Sequence, residues 1–398
     1  MNYFIVVHDA DRKSNGNTLI TVTDFTEMIS HTDRINKQQN IGPNNLSSKI
    51  VEVNSQGNLI WQYIGLGIPH EVLELPNGHL LITDTQNDRI IEIDYPNKNI
   101  VWKWQPSLIN WTKINPEWDE NHYYNNPINL AGEFSYDWTH INDIDFKDYG
   151  LWNACLISIR NFDLIVEVNY TADFIEPNNP NNIVWYFGDY KNHTLINMQH
   201  NPDYLENGNV IISDSGNNRI VEVNYSTKEI IWIYDNGLMW PRDADELGNG
   251  NLLITDSIGC RIIEIDKQTK DIIWSYTSDL LIPYEADILD NGNILICNEY
   301  HGLIIEVNRN GEMVWRFGFS YIKAFIVLNS IFTIIISSFI IYYDYKLLKK
   351  ARKRKIWKSI IFGLFSAILS FSVVLIFRSG DLISGIVHTV YSLSPDIF

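Results

Sequence analysis

The sequence predicts an all-β fold, a six-bladed β-propeller over residues 1–318, followed by a two-helix C-terminal transmembrane hairpin. Three observations support this prediction. A unit of roughly 40 residues recurs six times, which is a period typical of propeller blades. Each unit contains four short runs of alternating apolar and polar residues separated by turn sequences. Two uncharged segments near the C-terminus are each long enough to cross a bilayer.

Each unit is recognised by a turn glycine, a later acid within "IVEVN" or a variant of it, and a closing tryptophan. The glycines are Gly16, Gly78, Gly150, Gly208, Gly250 and Gly292; the acids are Glu52, Glu92, Glu167, Glu222, Glu264 and Glu306; the tryptophans are Trp61, Trp102, Trp185, Trp232, Trp274 and Trp315. In the unit "PHEVLELPNGHLLITDTQNDRIIEIDYPNKNIVWKW" we expect strands near 70–75, 79–84, 89–94 and 99–104. The first strand of a blade is innermost and lines the central channel.

The charge distribution separates the chain into two parts. Residues 1–318 carry 20 Lys and Arg against 45 Asp and Glu, whereas residues 319–398 carry 10 against 3. Uncharged stretches of 20 and 19 residues, 324–343 and 359–377, can each cross a hydrocarbon core of ~30 Å as a helix. We therefore predict a transmembrane helix at 319–345 and a second at 359–377.

The segment between the predicted helices sets the predicted topology. Residues 346–358, "KLLKKARKRKIWK", hold eight Lys or Arg, which the positive-inside rule places in the cytoplasm. The propeller and the tail 378–398 then lie outside, in a multi-pass cell-membrane protein. A basic loop this short between two spans does not predict nucleic-acid binding. Because "MNYFIVVHDADRK" lacks signal-peptide anatomy, we expect a start further upstream, or less readily a first span that acts as a late reversed anchor.

The residue eight positions before the turn glycine starts the innermost strand of each blade. These residues are His8, His70, His200, Arg242 and Tyr284, and blade three supplies His140 ten positions before its glycine. Pseudo-symmetry brings them together as a ring at one mouth of the channel. Blade packing does not require an imidazole at this position, so four histidines at equivalent positions favour a functional site.

Blade three also differs from its neighbours at the second turn. Blades two, four and five have an Asp and an Arg five residues apart, at Asp84 and Arg89, Asp214 and Arg219, and Asp256 and Arg261. Blade three has Ile159 and Leu164 there, and instead shows Arg160, which we expect at the same mouth as the histidines. The insertions 24–48 and 105–136 connect strand ends at that mouth, and we expect them to cover a pocket for a flat ligand.

Imidazoles beside a guanidinium suit an oxyanion with several oxygens. Arginine offers a planar fork of donors, and protonated histidine can donate to further oxygens. A neutral imidazole can instead attack sulfur or phosphorus and form a covalent intermediate, while another can protonate the leaving oxygen. The ring therefore favours group transfer, although the formal charge of −25 over residues 1–318 (20 minus 45) would repel an anionic substrate at long range.

Four motifs resemble those of the arylsulfate sulfotransferases in order and spacing. They are "PHEVLELPNGHLL" (69–81), "DWTHIND" (137–143), "LISIRN" (156–161) and "QHNPDYLENGN" (199–209). These enzymes are propellers that move a sulfuryl group from one phenol to another without the adenosine phosphosulfate donor. The resemblance covers most of residues 60–240 and implies an aryl sulfate donor, a phenolic acceptor and no cofactor.

The resemblance also implies roles for individual residues. His200 would be the nucleophile that becomes transiently sulfated, His140 and Arg160 would bind the sulfuryl oxygens, and His70 would act as acid or base. We assign His8, Arg242 and Tyr284 to substrate binding from the ring argument alone. This chain departs from the family in having Pro69 where a doubled histidine is usual, in lacking the N-terminal sandwich domain, and in its two predicted spans.

Three alternatives remain open from the sequence. One is a non-catalytic exported propeller that binds or scaffolds a partner, because the propeller fold alone does not decide function. Another is a zinc or copper site formed by the four imidazoles. The most distant is a calcium-dependent lactonase that uses Glu71, Asp243 and Glu285.

Overall fold

The computed structural model describes residues 5–24, 48–118 and 137–318. The chain divides into two units, Met1–Gly318 and Phe319–Phe398, and every described element lies in the first. That unit contains six antiparallel sheets, each formed by consecutive strands of the sequence. The prediction of an all-β six-bladed propeller is therefore confirmed.

The strands follow the predicted repeat. Blade one contains β1 (Ile5–Val6), β2 (Ala10–Arg12), β3 (Thr18–Asp24), β4 (Ser48–Val53) and β5 (Leu59–Leu66). Blade two contains β6 (Pro69–Glu74), β7 (Leu80–Asp84), β8 (Arg89–Asp94) and β9 (Asn99–Trp104), and blade three contains β10 (Ile141–Asp148), β11 (Asn153–Ile159), β12 (Leu164–Asn169) and β13 (Ile183–Gly188). Blade four contains β14 (His200–Tyr204), β15 (Val210–Asp214), β16 (Arg219–Val223) and β17 (Ile230–Tyr234). Blade five contains β18 (Pro241–Glu246), β19 (Leu252–Asp256), β20 (Arg261–Ile265) and β21 (Ile272–Tyr276), and blade six contains β22 (Pro283–Ile288), β23 (Ile294–Asn298), β24 (Leu303–Val307) and β25 (Met313–Gly318).

Helical structure is confined to connections among the described residues. The α-helix Tyr170–Ile175 follows β12, and its N-terminus is capped by the Asn169 side chain, which accepts a hydrogen bond from the Ala172 N–H. Single 3₁₀ turns occupy Thr85–Asn87, Pro106–Leu108, Trp111–Lys113, Arg160–Phe162, Pro180–Asn182, Ser215–Asn217 and Glu299–His301. Several of these turns directly follow the second strand of a blade.

Blade one departs from the four-strand pattern. Its innermost position is divided between β1 and β2, which both pair with β3, and His8 and Asp9 lie in the interruption. The backbone there still contacts the second strand, because the N–H groups of His8 and Asp9 donate to the Thr21 hydroxyl oxygen at 3.2 and 2.9 Å. The interruption therefore leaves His8 at the position expected for a ring residue.

The repeated acid and tryptophan are cross-strand partners in every blade. The pairs are Glu52 and Trp61, Glu92 and Trp102, Glu167 and Trp185, Glu222 and Trp232, Glu264 and Trp274, and Glu306 and Trp315. In blades three to six the indole also donates to a carbonyl of the next blade, as Trp232 Nε1 does to Lys267 at 3.0 Å. In blades one, four, five and six the acid accepts from a turn asparagine of its own blade, as Glu222 does from Asn209 Nδ2 at 2.7 Å. The repeated acid and tryptophan therefore form hydrogen bonds within and between blades.

The hydrophobic core lies between adjacent blades. Six clusters of buried side chains fill the six blade interfaces, dominated by Ile, Val and Leu from the middle strands. Among the described residues, the sheets of blades six and one share no strand, and side chains close the interface between them. Arg12 Nη2 contacts Glu306 Oε2 at 3.0 Å, and Trp315 Nε1 donates to the Ser55 carbonyl at 2.8 Å.

The predicted membrane hairpin lies outside the described residues, as do most of the two predicted covering loops, 25–47 and 119–136. Within the described residues, no helix has the length and apolar character needed to span a bilayer. The hairpin therefore stays a prediction from the sequence.

The aspartates that end the second strands bond to the arginine five residues later and also accept a backbone hydrogen bond. Arg261 Nε donates to Asp256 Oδ2 at 2.6 Å, and Asp256 Oδ1 accepts from the Met239 N–H, just before β18, at 2.7 Å. The Asp84 and Asp214 carboxylates bond Arg89 and Arg219 in the same way. Blade six has Asn298 at this position, whose Oδ1 accepts from the Leu281 N–H at 2.7 Å. Each contact fixes the backbone that leads into the first strand.

We expect Asp256→Ala to lower the free energy of unfolding by ~1.5–3 kcal/mol, because it leaves the Met239 N–H without its acceptor and removes the carboxylate that pairs with Arg261. Asp256→Asn should lower it less, because an amide oxygen serves the same backbone N–H in blade six. Denaturant titration of both variants measures the difference. Equal losses would show that the backbone contact contributes little.

Candidate functional site

The six ring residues occupy equivalent places at one end of the channel. His200 begins β14, and His70, Arg242 and Tyr284 are the second residues of β6, β18 and β22. His140 directly precedes β10, and His8 lies between β1 and β2. First strands run away from this mouth and second strands return to it, so residues at both strand ends meet there.

The structure brings the ring side chains into contact. His8 stacks on His70 with ring centroids 4.1 Å apart, and His70 meets His140 edge-on at 4.8 Å. Tyr284 lies 4.9 Å from His8 and 5.8 Å from His200, again between ring centroids. The Arg242 guanidinium lies over the Tyr284 ring at 4.5 Å. Every sequence-predicted ring residue is therefore part of one cluster.

A left-handed backbone conformation occurs at or just before five of the six ring residues. Ile68, Met198, Trp240 and Ile282 lie two residues before their ring residues and have φ between 47° and 52°, as does His140 itself at 47°. Such left-handed conformations are strained for large and β-branched residues. The strand register also shifts next to these five residues, for example between His200 and Pro202. The strained turn and the bulge together aim the side chains into the mouth.

The hydrogen bonds of His200 define its tautomer. Its Nδ1 lies 3.1 Å from the Met198 carbonyl oxygen and 2.8 Å from Ser215 Oγ. The Ser215 hydroxyl is within 2.6 Å of the Pro241 carbonyl and donates to it, so Ser215 accepts from His200. Because a carbonyl oxygen only accepts, Nδ1 carries the hydrogen. Nε2 of His200 therefore keeps its lone pair.

Burial keeps the ring histidines neutral. Desolvation lowers the pKa of His200 well below 6.5, and the charges of Arg242 and Arg160 lower it further. The same causes lower the pKa of His8 to about 3, with Arg242 and His140 as the charged neighbours. The pKa of His70 also lies well below 6.5, chiefly through burial. Imidazoles in this state are nucleophiles and proton acceptors rather than cationic donors.

His140 and Arg160 form a second group at the mouth. His140 Nδ1 lies 2.5 Å from Asp137 Oδ2. Burial and Arg160 lower the pKa of His140, while Asp137 opposes them. The Arg160 N–H donates to the His140 carbonyl at 3.2 Å, and its guanidinium donates to the Asn161 amide oxygen at 3.2–3.3 Å. The arginine thus lies at the histidine mouth, at the end of β11, as the sequence indicated.

Glu299 is a site residue that the sequence reasoning missed. It is buried, forms an ion pair with Arg242, and its Oε1 lies 3.7 Å from His8 Nε2. Its carboxylate compensates the charge of Arg242, whereas the Arg160 guanidinium donates to a neutral amide. Of the two guanidiniums, Arg160 is therefore the better placed to hold an added anion.

A repeat position could have revealed Glu299 and Ser215. Both directly follow the last residue of a second strand, as does Arg160 in blade three. The set of residues at this position is Thr85, Arg160, Ser215, Ser257 and Glu299. These residues form a second ring around the same mouth. By residue type, only the arginine is unusual for a turn.

Among the described residues, the close groups of potential metal ligands do not include the four ring histidines, which were considered from the sequence as a zinc or copper site. Within the described residues, the groups of three or more potential ligands whose atoms lie within 4.8 Å of one another consist of carboxylates. Those carboxylates lie on the first strands, beyond the ring residues. The arrangement of the mouth itself, with free imidazole nitrogens near the Arg160 and Arg242 guanidiniums, suits covalent group transfer.

One family matches the chain. Residues 62–195 match the model of the Arylsulfotransferase (ASST) family, which confirms the resemblance over that stretch. His70, His140 and Arg160 fall inside the matched residues, and His200 lies just beyond their end. No curated protein matches the chain.

Solved propeller structures are more distantly similar. A protein of unknown function from Bacteroides caccae has 13% identity and a TM-score of 0.47, covering 70% of this chain and 92% of its own. A streptogramin B lyase has 11% identity and a TM-score of 0.48, covering 80% and 84%. A virginiamycin B lyase from Staphylococcus aureus has 10% identity and a TM-score of 0.48, covering 79% and 84%. Similarities of this size do not bear on function.

The depressed pKa of His200 predicts a pH dependence of stability. Since the folded-state pKa lies below the unfolded value of 6.5, the unfolded chain binds the proton first as the pH falls. The stability associated with neutral His200 is complete above pH 6.5 and decreases below it, by up to ~1.4 kcal/mol per pH unit. His200→Gln removes this dependence.

The measurement is the free energy of unfolding of wild type and His200→Gln as a function of pH. We expect the difference between them to be constant above about pH 7 and to change in favour of the variant towards about pH 5. A constant difference over the whole range would mean that His200 titrates normally.

Proposed function

We propose that the propeller transfers a sulfuryl group from an aryl sulfate to a phenolic acceptor, with His200 as the covalent carrier. The observation that supports this most directly is the free Nε2 of a buried, neutral His200. The family match adds that the neighbouring blades are similar to arylsulfotransferases. The proposal requires no metal or cofactor for the transfer step.

In the first half-reaction, the Nε2 lone pair of His200 attacks sulfur. The N–S bond forms as the bond between sulfur and the aryl oxygen breaks, and the phenolate leaves with the electron pair. The ring gains positive charge, and the Nδ1 hydrogen bond to Ser215 stabilises it. In the second half-reaction a phenolic oxygen attacks the same sulfur and His200 is restored.

His70 completes the proton transfers. Its Nδ1 lies 3.0 Å from the Ile68 carbonyl and so carries hydrogen, which leaves the Nε2 lone pair available. We assign it to take the proton of the acceptor phenol and return it to a leaving phenolate in the next cycle. Protons then balance over one complete transfer.

Arg160 and His140 would hold the sulfuryl oxygens. A guanidinium can donate to two of them, and a bound anion raises the pKa of His140, so that its Nε2 can donate while Asp137 accepts from Nδ1. His8, Arg242 and Tyr284 then shape the opposite side of the pocket. This local positive charge must act without long-range attraction, because the domain is strongly acidic.

We also propose that residues 319–398 anchor the propeller to the cell membrane on its extracytoplasmic side. The support is the sequence alone, namely the two uncharged segments and the basic loop between them. Fusion of a reporter enzyme to the C-terminus and a protease-protection assay of the propeller would test this topology.

His200→Asn should abolish turnover of a chromogenic aryl sulfate with a phenol acceptor. The matched control is His79→Asn, which changes a histidine at the opposite end of blade two, where it contacts Glu92. Mass spectrometry of wild type mixed with donor alone should show one added sulfuryl group on a peptide containing His200. Equal turnover of wild type and His200→Asn would exclude His200 as carrier, and inactivity of every aryl ester would favour a binding module.

Ser215→Ala tests the positioning of His200. Loss of one neutral hydrogen bond to Nδ1 should lower kcat by roughly 2–10-fold with little change in KM. Ser215→Thr keeps the hydroxyl and should restore most of the activity. Failure of threonine to restore kcat, with normal folding, would argue against a role through the hydroxyl.

A further inference from the structure

The channel beyond the histidine ring is lined with carboxylates. The shift in strand register beside the ring turns the following residue inward as well, and alternate residues beyond it face the same side, which places a second and a third layer behind the ring. These acids are Asp9, Glu71, Asp143, Asp243 and Glu285, and deeper Asp11, Asp145, Asp203, Asp245 and Asp287. Sulfuryl transfer at the mouth does not use them. So many carboxylates in one buried channel require compensation by protons or cations.

One group among them has the geometry of a cation site. The carboxylate oxygens of Asp9, Asp11 and Glu71 lie within 4.8 Å of one another. Asp9 is completely buried and Glu71 is 9% exposed. The group joins the interrupted inner strand of blade one to the first strand of blade two.

Unpaired oxygens provide an independent indication of a ligand. Asp9 Oδ2 accepts from the Val72 N–H at 2.8 Å, but the fully buried Oδ1 has no hydrogen-bond donor among the described residues. Asp143 Oδ2, from blade three, is likewise buried and without a donor there, and its charge interacts with that of Asp9. Buried carboxylate oxygens without a donor are stable only with a proton or a cation beside them.

The neighbouring basic side chains are engaged elsewhere. Arg12 pairs with Glu306, and Lys13 pairs with Glu52 and Glu74, at distances of 2.9–3.4 Å. At the mouth, Arg242 pairs with Glu299. Among the described residues, none of the ion pairs includes Asp9, Asp11 or Glu71. The carboxylate group is therefore not neutralised by a side chain of that part of the chain.

We propose that Asp9, Asp11 and Glu71 bind a hard divalent cation, Ca²⁺ or Mg²⁺, in the channel. Carboxylate oxygens are the ligands that these ions prefer, and softer metals favour nitrogen or sulfur. The ion would stabilise the junction of blades one and two, directly behind the stacked His8 and His70. This site does not depend on the proposed transferase activity.

Calorimetry on the chelator-treated full chain tests the site, with Ca²⁺ alone and Mg²⁺ alone as ligands. We expect saturable binding of at least one of them and a Tm higher by several degrees at saturation. Asp9→Asn should weaken the affinity at least ~10-fold. The matched control is Asp203→Asn, which lies in the other carboxylate group with Asp243 and Asp245 and should retain binding.

Several results would overturn the proposed cation site. Absence of both heat and a Tm shift overturns the proposal, as does unchanged affinity and stoichiometry in Asp9→Asn. Loss of binding in Asp203→Asn but not in Asp9→Asn overturns it in favour of the other carboxylate group. If Asp9→Asn does not fold, Asp11→Asn at the partly exposed edge of the same group replaces it. Aryl sulfate turnover is measured separately, so its failure would not affect this result.

Discussion

The arrangement of the mouth depends on the oxygen acceptor that ends the second strand of a blade. In blades two, four, five and six this side chain holds a backbone N–H of the turn that leads into the first strand. The turn then passes through a left-handed residue and directs the next side chains inward. Blade three has Ile159 at this position, and the next residue, Arg160, lies at the mouth. The same repeat position therefore builds the scaffold and, where it changes, supplies a functional group.

Desolvation determines the chemistry that the mouth can perform. Cationic imidazoles would bind an anion strongly but could not attack sulfur. Burial and two nearby guanidiniums favour the neutral form of His200, and hydrogen bonds fix its tautomer. In the proposed mechanism, anion binding falls to Arg160 and, once an anion is present, to His140. These proposed roles follow from the neighbour of each side chain: a serine hydroxyl for His200, an amide for Arg160 and a carboxylate for His140.

The fold and the ring could be predicted because both follow from periodicity. Strands of blade two predicted at 70–75 and 89–94 are observed at Pro69–Glu74 and Arg89–Asp94. The same periodicity places Glu299 and Ser215 at the mouth but does not give their roles, since a glutamate or serine in a turn is ordinary by type. Their roles depend on partners in other blades, Arg242 and Pro241, more than 25 residues away. Cross-blade contacts of this kind have no local sequence signal.

The seam between the last and first blades passes through the mouth. His8 belongs to blade one, whereas Tyr284 and Glu299, which contact it, belong to blade six. Among the described residues, no main-chain ladder crosses this boundary, and side-chain contacts hold it closed. A slight parting of the two blades would separate Tyr284 and Glu299 from His8 while leaving every sheet intact. The pocket is therefore intact only while blades six and one stay in contact and the circle of blades is closed.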